Sequence, residues 1–474
     1  MQQFKGIVGL NNLMFSKTLE NCTVLSGGEE YDSITFDENI ISLGGKEKGN
    51  QVLDMNGAVI VPGFVDSHMH LYSTALKLMT QDLEGLSRRE VLLKLTGAKP
   101  NQNGWVVSRG WDESLWKKQE FLTPDEISNG NPVLAIRVDG HMAVLNKKGI
   151  MESIGLGLHV ESDGVIKEGE LDKLMSRIKP SSDINEAIMR AEEYCLSQGI
   201  TSISDIETPD LLADYRKMQH KLRIVFNPIG LHRMGFNTGD LVSENLYMGH
   251  VKLFADGSVG ARTAVMSDGY RDSDASPSLV YSDSQLEALY SEIISSGNDV
   301  MTHAIGDVAI DQVIRTTKKF DKGRLKIEHN EFVLPLRTEM EEKGMVVSMQ
   351  PNFLRWSFKG GMYERRLGSG YIGLNNRFGS LLKNGVKVAF GSDSMPVGPM
   401  YGINLAMKPP TSGQKISFDQ AIKCYTENSA YALHLEGITG MLEPGKKSDI
   451  VALDRNDLSV LKTYFEGVEK YSSH

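Results

Sequence analysis

A chain of 474 residues with 40% hydrophobic and 24% charged side chains can bury a sizeable core, which excludes a disordered or fibrous protein. A formal net charge of -10, with no run of Lys and Arg, excludes a nucleic-acid partner, because phosphate binding needs clustered cations. The cysteines Cys22, Cys195 and Cys424 are far apart and odd in number. They offer neither a disulfide framework nor a thiolate metal motif, so a reducing, cytoplasmic compartment is expected. Residues 1–15 lack the basic segment and apolar run of a signal peptide. No apolar stretch reaches the roughly 18 residues of a membrane span, so no membrane partner is expected.

In chain order, short β-type runs at 33–36 and 39–43, the second ending at Gly44-Gly45, predict a small antiparallel sheet. After Leu435 the same style returns at 449–453 and 458–460, following Pro444-Gly445. The two ends are expected to pair as one discontinuous β-sandwich domain of 1–62 and 435–474. Between them lie apolar β-type runs near 58–61, 200–203, 222–226, 250–254, 299–302, 325–328, 345–349 and 386–390. Chain enough for a helix separates them, as at 186–196 and 285–294, where apolar residues recur at helical spacing. Eight such runs fit a (β/α)₈ TIM-type barrel of α/β class, spanning 63–434. The gap at 71–180 is too long for one crossover helix and reads as an insertion over the carboxyl-end face, where barrel active sites lie.

Histidine, lysine and aspartate recur at the ends of these runs: His68 and His70, Lys252, His303, His329 and Asp393. Strand ends converge at a barrel mouth, so these become neighbours. In Ser67-His68-Met69-His70 the imidazoles are two residues apart and project to one side of extended chain, where they can share an ion, with Met69 turned away. His303 and His329 could complete the set around a second ion, although a single histidine after a strand is more often a satisfied core or surface residue. Lys252, flanked by apolar residues, invites either a functional role or an ion pair with Asp256 or another carboxylate. A carboxylate at Asp393 can both ligate and move a proton. His232 lies just past the third run and is placed to touch substrate; His159, His220, His250, His434 and His474 are assigned no role.

These residues resemble the amidohydrolase superfamily, and within it the YtcJ-like branch that includes N-substituted formamide deformylases. The likeness covers nearly the whole chain. It is carried by Val61-Pro62-Gly63-Phe64-Val65-Asp66-Ser67-His68-Met69-His70, by Val251 to Gly257 with Gly260, and by His303-Ala304-Ile305-Gly306-Asp307. Glu328-His329, Gly391-Ser392-Asp393 and the closing segment Gly440 to Val451 extend it, with Ser448 where alanine is more usual. The resemblance implies an N-carboxylated Lys252 bridging two divalent ions, zinc first among them, with His68 and His70 on one, His303 and His329 on the other, and Asp393 beside the bridging water. Gly110-Trp111-Asp112 and Asp139-Gly140-His141 also resemble the branch and imply substrate contacts at Trp111, Asp112 and His141.

The implied activity is metal-dependent hydrolysis of a C–N bond in a small amide-type molecule by metal-activated hydroxide, with Asp393 as proton carrier and His141 stabilising the oxyanion. A cyclic amide, an ester or an aminated ring suits the same site, and a non-catalytic metal-binding regulator is the rival outside enzymes. The expected partner is the small-molecule substrate. The sequence allows a homodimer without requiring one.

Overall fold

The computed structural model describes residues 16–45, 48–178, 184–231, 235–320, 325–334 and 344–473. The readings made for 1–15, for the end of the insertion at Pro180, and for His232 and His474 concern residues outside that set. The architecture is mixed α/β. Segments from both ends of the chain build two facing sheets. One has the order Ile40–Leu43, Ile34–Phe36, Lys17–Glu20, Gln51–Asp54; the other runs from Val468–Ser472 through Val460–Phe465, Ile450–Leu453, Val59–Pro62 and Thr23–Ser26 to Glu29–Tyr31. Leu19, Val24, Ile34, Phe36, Ile60, Ile450 and Tyr464 fill the space between them.

The parallel part consists of β1 (Phe64–Met69), β2 (Ile200–Glu207), β3 (Arg223–Pro228), β4 (Val251–Phe254), β5 (Val300–Ala304), β6 (Lys326–His329), β7 (Val346–Met349) and β8 (Lys387–Phe390). Nearly every residue in these strands is buried, as expected of parallel strands covered on both faces. Helices supply the outer cover. In Asp283–Ser295, Leu286, Tyr290 and Ile293 form the inward stripe, and a capping box of Ser282 and Gln285 fixes the start.

β1, β2 and β3 pair in one five-stranded sheet with Leu246–Met248 and Leu241–Ser243, and β4 to β8 pair in order in a second. A single parallel bridge, Ile229 with Lys252, joins the two between β3 and β4. At the other seam β8 lies beside β1, but among the described residues no backbone ladder joins them. The expected closed barrel is therefore observed as two sheets. The Asp66 carboxylate occupies the seam instead, accepting from the amides of Ser392 (2.9 Å) and His68 (3.1 Å), while the Asp393 amide donates to the His68 carbonyl (2.8 Å).

The run at 58–61, expected as the first strand of the parallel part, belongs to the β domain, where Val59–Pro62 pairs with Ile450–Leu453. The chain changes sheet at Gly63, whose amide donates to Asp449 O at 2.8 Å. A Cβ there would lie 2.2 Å from Thr201 Oγ1, so only glycine allows the crossing. The run at 458–460 begins its strand later than expected, at Val460, because Leu458 sits in the left-handed region (φ 60°). Arg223 ties the two parts together through Asp449 (2.7 Å) and Glu466 (2.9 Å).

The insertion folds around a sheet of its own, in the order Val165–Lys167, Met142–Leu145, Val133–Arg137, Val106–Trp111, Gln81–Asp82. Apolar clusters cover both faces. Arg137 ion-pairs with Glu113 (2.8 Å) and Asp139 (2.6 Å) within it, and Arg366, from the helix Met362–Leu367, reaches Glu113 at 3.0 Å to dock it. No described helix is long and apolar enough to cross a membrane.

Candidate active site

The carboxyl ends of the parallel strands bring most of the expected residues together. His68 lies inside β1 and His70 just beyond it, as the residue before the helix Leu71–Met79. Their rings stand 5.6 Å apart, and Met69 turns into the core. His70 Nε2 is 3.3 Å and His68 Nε2 3.6 Å from Asp393 Oδ1. Asp393, beyond β8, holds a left-handed backbone (φ 50°) that places its carboxylate among these rings. His329, at the end of β6, packs 4.7 Å from His68 and 4.4 Å from His303, centroid to centroid. Ligand atoms of His68, His329 and Asp393 all lie within 4.8 Å of one another.

Each ring spends one nitrogen on a protein partner. His68 Nδ1 meets the buried Glu328 carboxylate, His70 Nδ1 the carbonyl of Ile206 (2.9 Å) and His329 Nδ1 the amide oxygen of Gln350 (2.8 Å), while His303 Nε2 donates to Gly257 O (3.0 Å). That leaves Nε2 of His68, His70 and His329 and Nδ1 of His303 for a metal, each ring fixed as metal-binding histidines are by their outer partners. Burial and the neighbouring Lys252 hold His68 well below its ordinary pKa and bring His303 down to about 3; burial and His303 do the same to His329. Burial opposes the Asp393 charge, but His68, His70 and His141 outweigh it and keep the carboxyl below its ordinary value. Neutral imidazoles beside an ionised carboxylate are the donor set that zinc and similar ions take.

Lys252 is buried within β4. Its charged neighbours are Glu328 and Asp393 rather than Asp256, and burial lowers it to about 8. Asp256 instead accepts from the amides of Val265, Ile305 and Gly306 and lies 3.6 Å from His303.

The insertion contributes His141, whose ring lies 6.3 Å from that of His303 and whose Nδ1 is 3.1 Å from Glu168. Burial opposes its charge, but Glu168, with Asp139 and Asp393, raises it to about 10. Trp111 and Asp112 are placed otherwise than expected. Trp111 is wholly buried in the insertion core, stacked on Trp116 with its indole N–H on Ala135 O (2.8 Å), and does not line the pocket. Asp112 is buried behind the pocket wall, where it accepts from Trp356 Nε1 (3.2 Å) and faces Arg137. Beside His329, Asp393 and His141 opens a small pocket. Phe353, Trp356, Tyr363, Met362 and Met395 give it an aromatic and apolar wall, and Asp139 and Glu331 add carboxyls.

Sequence reasoning gave no role to Glu328, Gln350, Asp66 or Glu168. Only Asp66 carried a usable signal: it precedes His68 by two residues, so both share one face of β1. A second group, His250, Asp299 and His434, also clusters ligand atoms, with His434 Nε2 2.7 Å from Asp299. His250 and Asp299 immediately precede β4 and β5, so this group lies at the amino ends of the strands, away from the pocket.

A mixed α/β scaffold whose parallel strands present histidines, a lysine and an aspartate at their carboxyl ends is that of a metal-dependent hydrolase, and the chain belongs to the amidohydrolase family, whose family model matches residues 51–466. Among curated proteins it is similar to Protein LONG AFTER FAR-RED 3 of Arabidopsis thaliana, 28% identical over 89% of this chain and 84% of that protein. Two further relatives are each 24% identical. These are the putative amidohydrolase YtcJ of Bacillus subtilis (strain 168), covering 92% of this chain and 93% of the relative, and the N-substituted formamide deformylase of Arthrobacter pascens, covering 89% and 90%. These place it in the YtcJ-like branch. An uncharacterised metal-dependent hydrolase from Pyrococcus horikoshii OT3 superposes with a TM-score of 0.74 at 26% identity, over 96% of this chain and 99% of that one.

Proposed function

We propose that the protein hydrolyses a C–N bond of a small amide-type substrate, at a site built to hold two divalent ions at the mouth of a (β/α)₈ barrel. The barrel reading takes the two parallel sheets as its halves, meeting at the Ile229–Lys252 bridge and at the Asp66 seam. The observation that carries the activity is the convergence of His68, His70, His329 and the ionised Asp393 beside a pocket with an aromatic and apolar wall. The name of the Arthrobacter relative, an N-substituted formamide deformylase, supports the choice of an amide.

His68 and His70 would hold one ion and His303 and His329 the other, with Lys252, as its N-carboxylate, between them. Carboxylation turns a costly buried ammonium into an anionic ligand. Divalent ions held there would supply an acidified water near neutral pH and polarisation of a carbonyl. Asp393, within 3.3–3.6 Å of the His70 and His68 nitrogens, accepts a proton at Oδ1 and returns it to the departing nitrogen. His141, kept charged by Glu168, would stabilise a carbonyl oxygen as it gains negative charge. The aromatic wall excludes water and seats the apolar part of the substrate.

The test is elemental analysis of protein grown with zinc and bicarbonate, followed by assay on a panel of N-formyl and N-acyl amines. Two ions per chain with amine release supports the proposal. Two ions with turnover only of esters or aminated rings would transfer the site to another bond. Failure to take up any ion after reconstitution would overturn the reading.

A further inference from the structure

Val251 N donates to Asp299 O (2.9 Å), which sets His250 and Asp299 side by side at the starts of β4 and β5. Each is pinned through its own amide, His250 to Asn227 Oδ1 (2.8 Å) and Asp299 to Thr238 Oγ1 (2.9 Å). His434 comes to them from a third element, two residues after the helix Glu427–Ala432. Its Nε2 lies 2.7 Å from Asp299 Oδ2 and its ring 5.7 Å from that of His250. One ligand atom from each of the three lies within 4.8 Å of the other two, the closeness also found for His68, His329 and Asp393 at the barrel mouth.

The turn that carries His434 has no need of a histidine. Leu435 N donates to Ala430 O (2.9 Å) and His434 N to Tyr431 O (3.3 Å), the paired bonds that close a helix with the next residue in the left-handed region. Glycine is the usual residue there, because a Cβ is disfavoured; here it is His434, with φ 60°. Leu433 and Leu435 on either side are buried with Val65 and Val225, so apolar packing holds the turn. What the imidazole adds is its reach to Asp299 and His250. An ion pair with Asp299 would use one imidazole, whereas two imidazoles and a carboxylate on three separate elements are a donor set for zinc and similar ions, with bonds of about 2.0–2.2 Å. His250 is wholly buried, while the His434 and Asp299 side chains are 26% and 35% exposed, so an ion can enter from solvent and keep a water as its fourth ligand.

We propose that His250, Asp299 and His434 form a further site for zinc or a similar divalent ion, separate from the barrel mouth, which pins the turn after Glu427–Ala432 to the amino ends of β4 and β5. Beyond that turn the chain leaves for the β domain, so the ion would fasten the parallel strands to the segment that leads out of them. Three side chains, two of them partly exposed, hold an ion less tightly than the larger buried set at the barrel mouth. This ion is therefore one taken up on titration, beyond those the protein carries from growth. The site stands independently of the hydrolase reading.

The experiment titrates the full chain, with the ions it carries from growth, with zinc in the presence of a weak competing chelator, and counts bound zinc by elemental analysis. The wild type should take up one more zinc per chain than His434→Gly or Asp299→Asn, and zinc should raise its melting temperature more than theirs. Glycine suits the left-handed turn, so His434→Gly without added zinc should melt close to the wild type; Asp299→Asn keeps the side-chain size and tests the site without touching the turn. None of the three residues lines the pocket, so turnover should be unchanged in His434→Gly. Equal zinc uptake by the wild type and both variants, or an extra ion that the chelator removes, means an adventitious ion only and overturns the inference. A wild type that takes up a single zinc, lost in both variants, upholds this site while the two-ion reading of the barrel mouth fails.

Discussion

Replacing Glu328 by Gln tests how the metal-binding nitrogens are oriented. Glu328 is wholly buried; one carboxylate oxygen meets His68 Nδ1 and the other lies 3.0 Å from the Lys326 ammonium. Gln keeps the volume and an acceptor for His68 but removes the charge that makes the His68 ring a stronger donor to a metal. Loss of such an outer partner costs about 10–100-fold in metal affinity, or about 1.4–2.7 kcal/mol. Gln350 provides the internal scale. It holds His329 Nδ1 through a neutral amide at 2.8 Å, and neutral hydrogen bonds are roughly half as strong as charge-assisted ones, so Gln350→Leu should weaken affinity less. The assay is competition for zinc against a chromophoric chelator, with elemental analysis after dialysis. A second consequence follows from Lys326, which loses its buried counter-charge, so Glu328→Gln should also melt at lower temperature even without metal. Zinc affinity unchanged in Glu328→Gln, or weakened more by Gln350→Leu, would refute the reasoning.

Asp393→Asn should keep most of the metal content, since four imidazoles remain, while turnover falls by about 10²–10⁴-fold, the usual contribution of a positioned proton carrier; elemental analysis and steady-state kinetics on the same preparation separate the two effects. Arg223→Met strands the buried Asp449 carboxylate at the joint between the β domain and the parallel sheets. Calorimetric melting should register a loss of about 3–5 kcal/mol, part of it recovered in Arg223→Met with Asp449→Asn. The His141–Glu168 pair gives a pH signature. Glu168 is held down to about 2, although burial opposes this, because His141 and Thr263 stabilise its charge, so its contribution is present above its ordinary 4.5 and lost as pH falls toward 2. His141, raised to about 10, contributes fully below its ordinary 6.5 and loses that contribution as pH rises through 10. The melting-temperature difference between wild type and Glu168→Gln should therefore be largest between pH 4.5 and 6.5 and shrink on both sides. Trp111→Ala should destabilise by about 3–5 kcal/mol through a cavity in the insertion core, with KM of the folded fraction unchanged because the indole does not reach the pocket.

Seven of the parallel strands coincide with apolar runs visible in the sequence, because a parallel strand covered on both faces needs continuous apolar residues and leaves a distinct trace. The first was misplaced for a physical reason. From Val59 to Val65 the chain is apolar apart from Pro62-Gly63, so one run feeds two sheets, and only the hydrogen bonds of Val59–Pro62 to Ile450–Leu453 show where the first sheet ends. The missing ladder between β8 and β1 was equally invisible, since Asp66 fills that seam with a side chain and a carboxylate gives no periodic signal. The insertion's sheet was passed over because two of its members, Gln81–Asp82 and Val165–Lys167, are too short to read as strands.

For the site, position was legible and orientation was not. A histidine or aspartate after an apolar run announces itself, so His68, His70, His303, His329, Lys252 and Asp393 could be named in advance. The groups that decide which nitrogen faces the metal come from elsewhere: Glu328 and Gln350 are ordinary polar residues of β6 and the end of β7, and Ile206 and Gly257 act through their carbonyls, which no side-chain pattern encodes. The same limit separates His141 from Trp111 and Asp112. All three lie in recognisable short motifs of the insertion, but the stretch Arg137 to His141 turns back toward β5, while Val106–Trp111 stays inside its own sheet. A motif thus located the insertion's contribution without saying which side chain crosses to the site. The crossing depends on Glu168, which reaches His141 from a helix beginning 27 residues later and binds the Thr263 hydroxyl (2.8 Å) after β4. Glu168 therefore links the insertion both to the parallel-sheet scaffold and to the reacting end of the pocket, so a change there should register in the docking of the insertion as well as in catalysis.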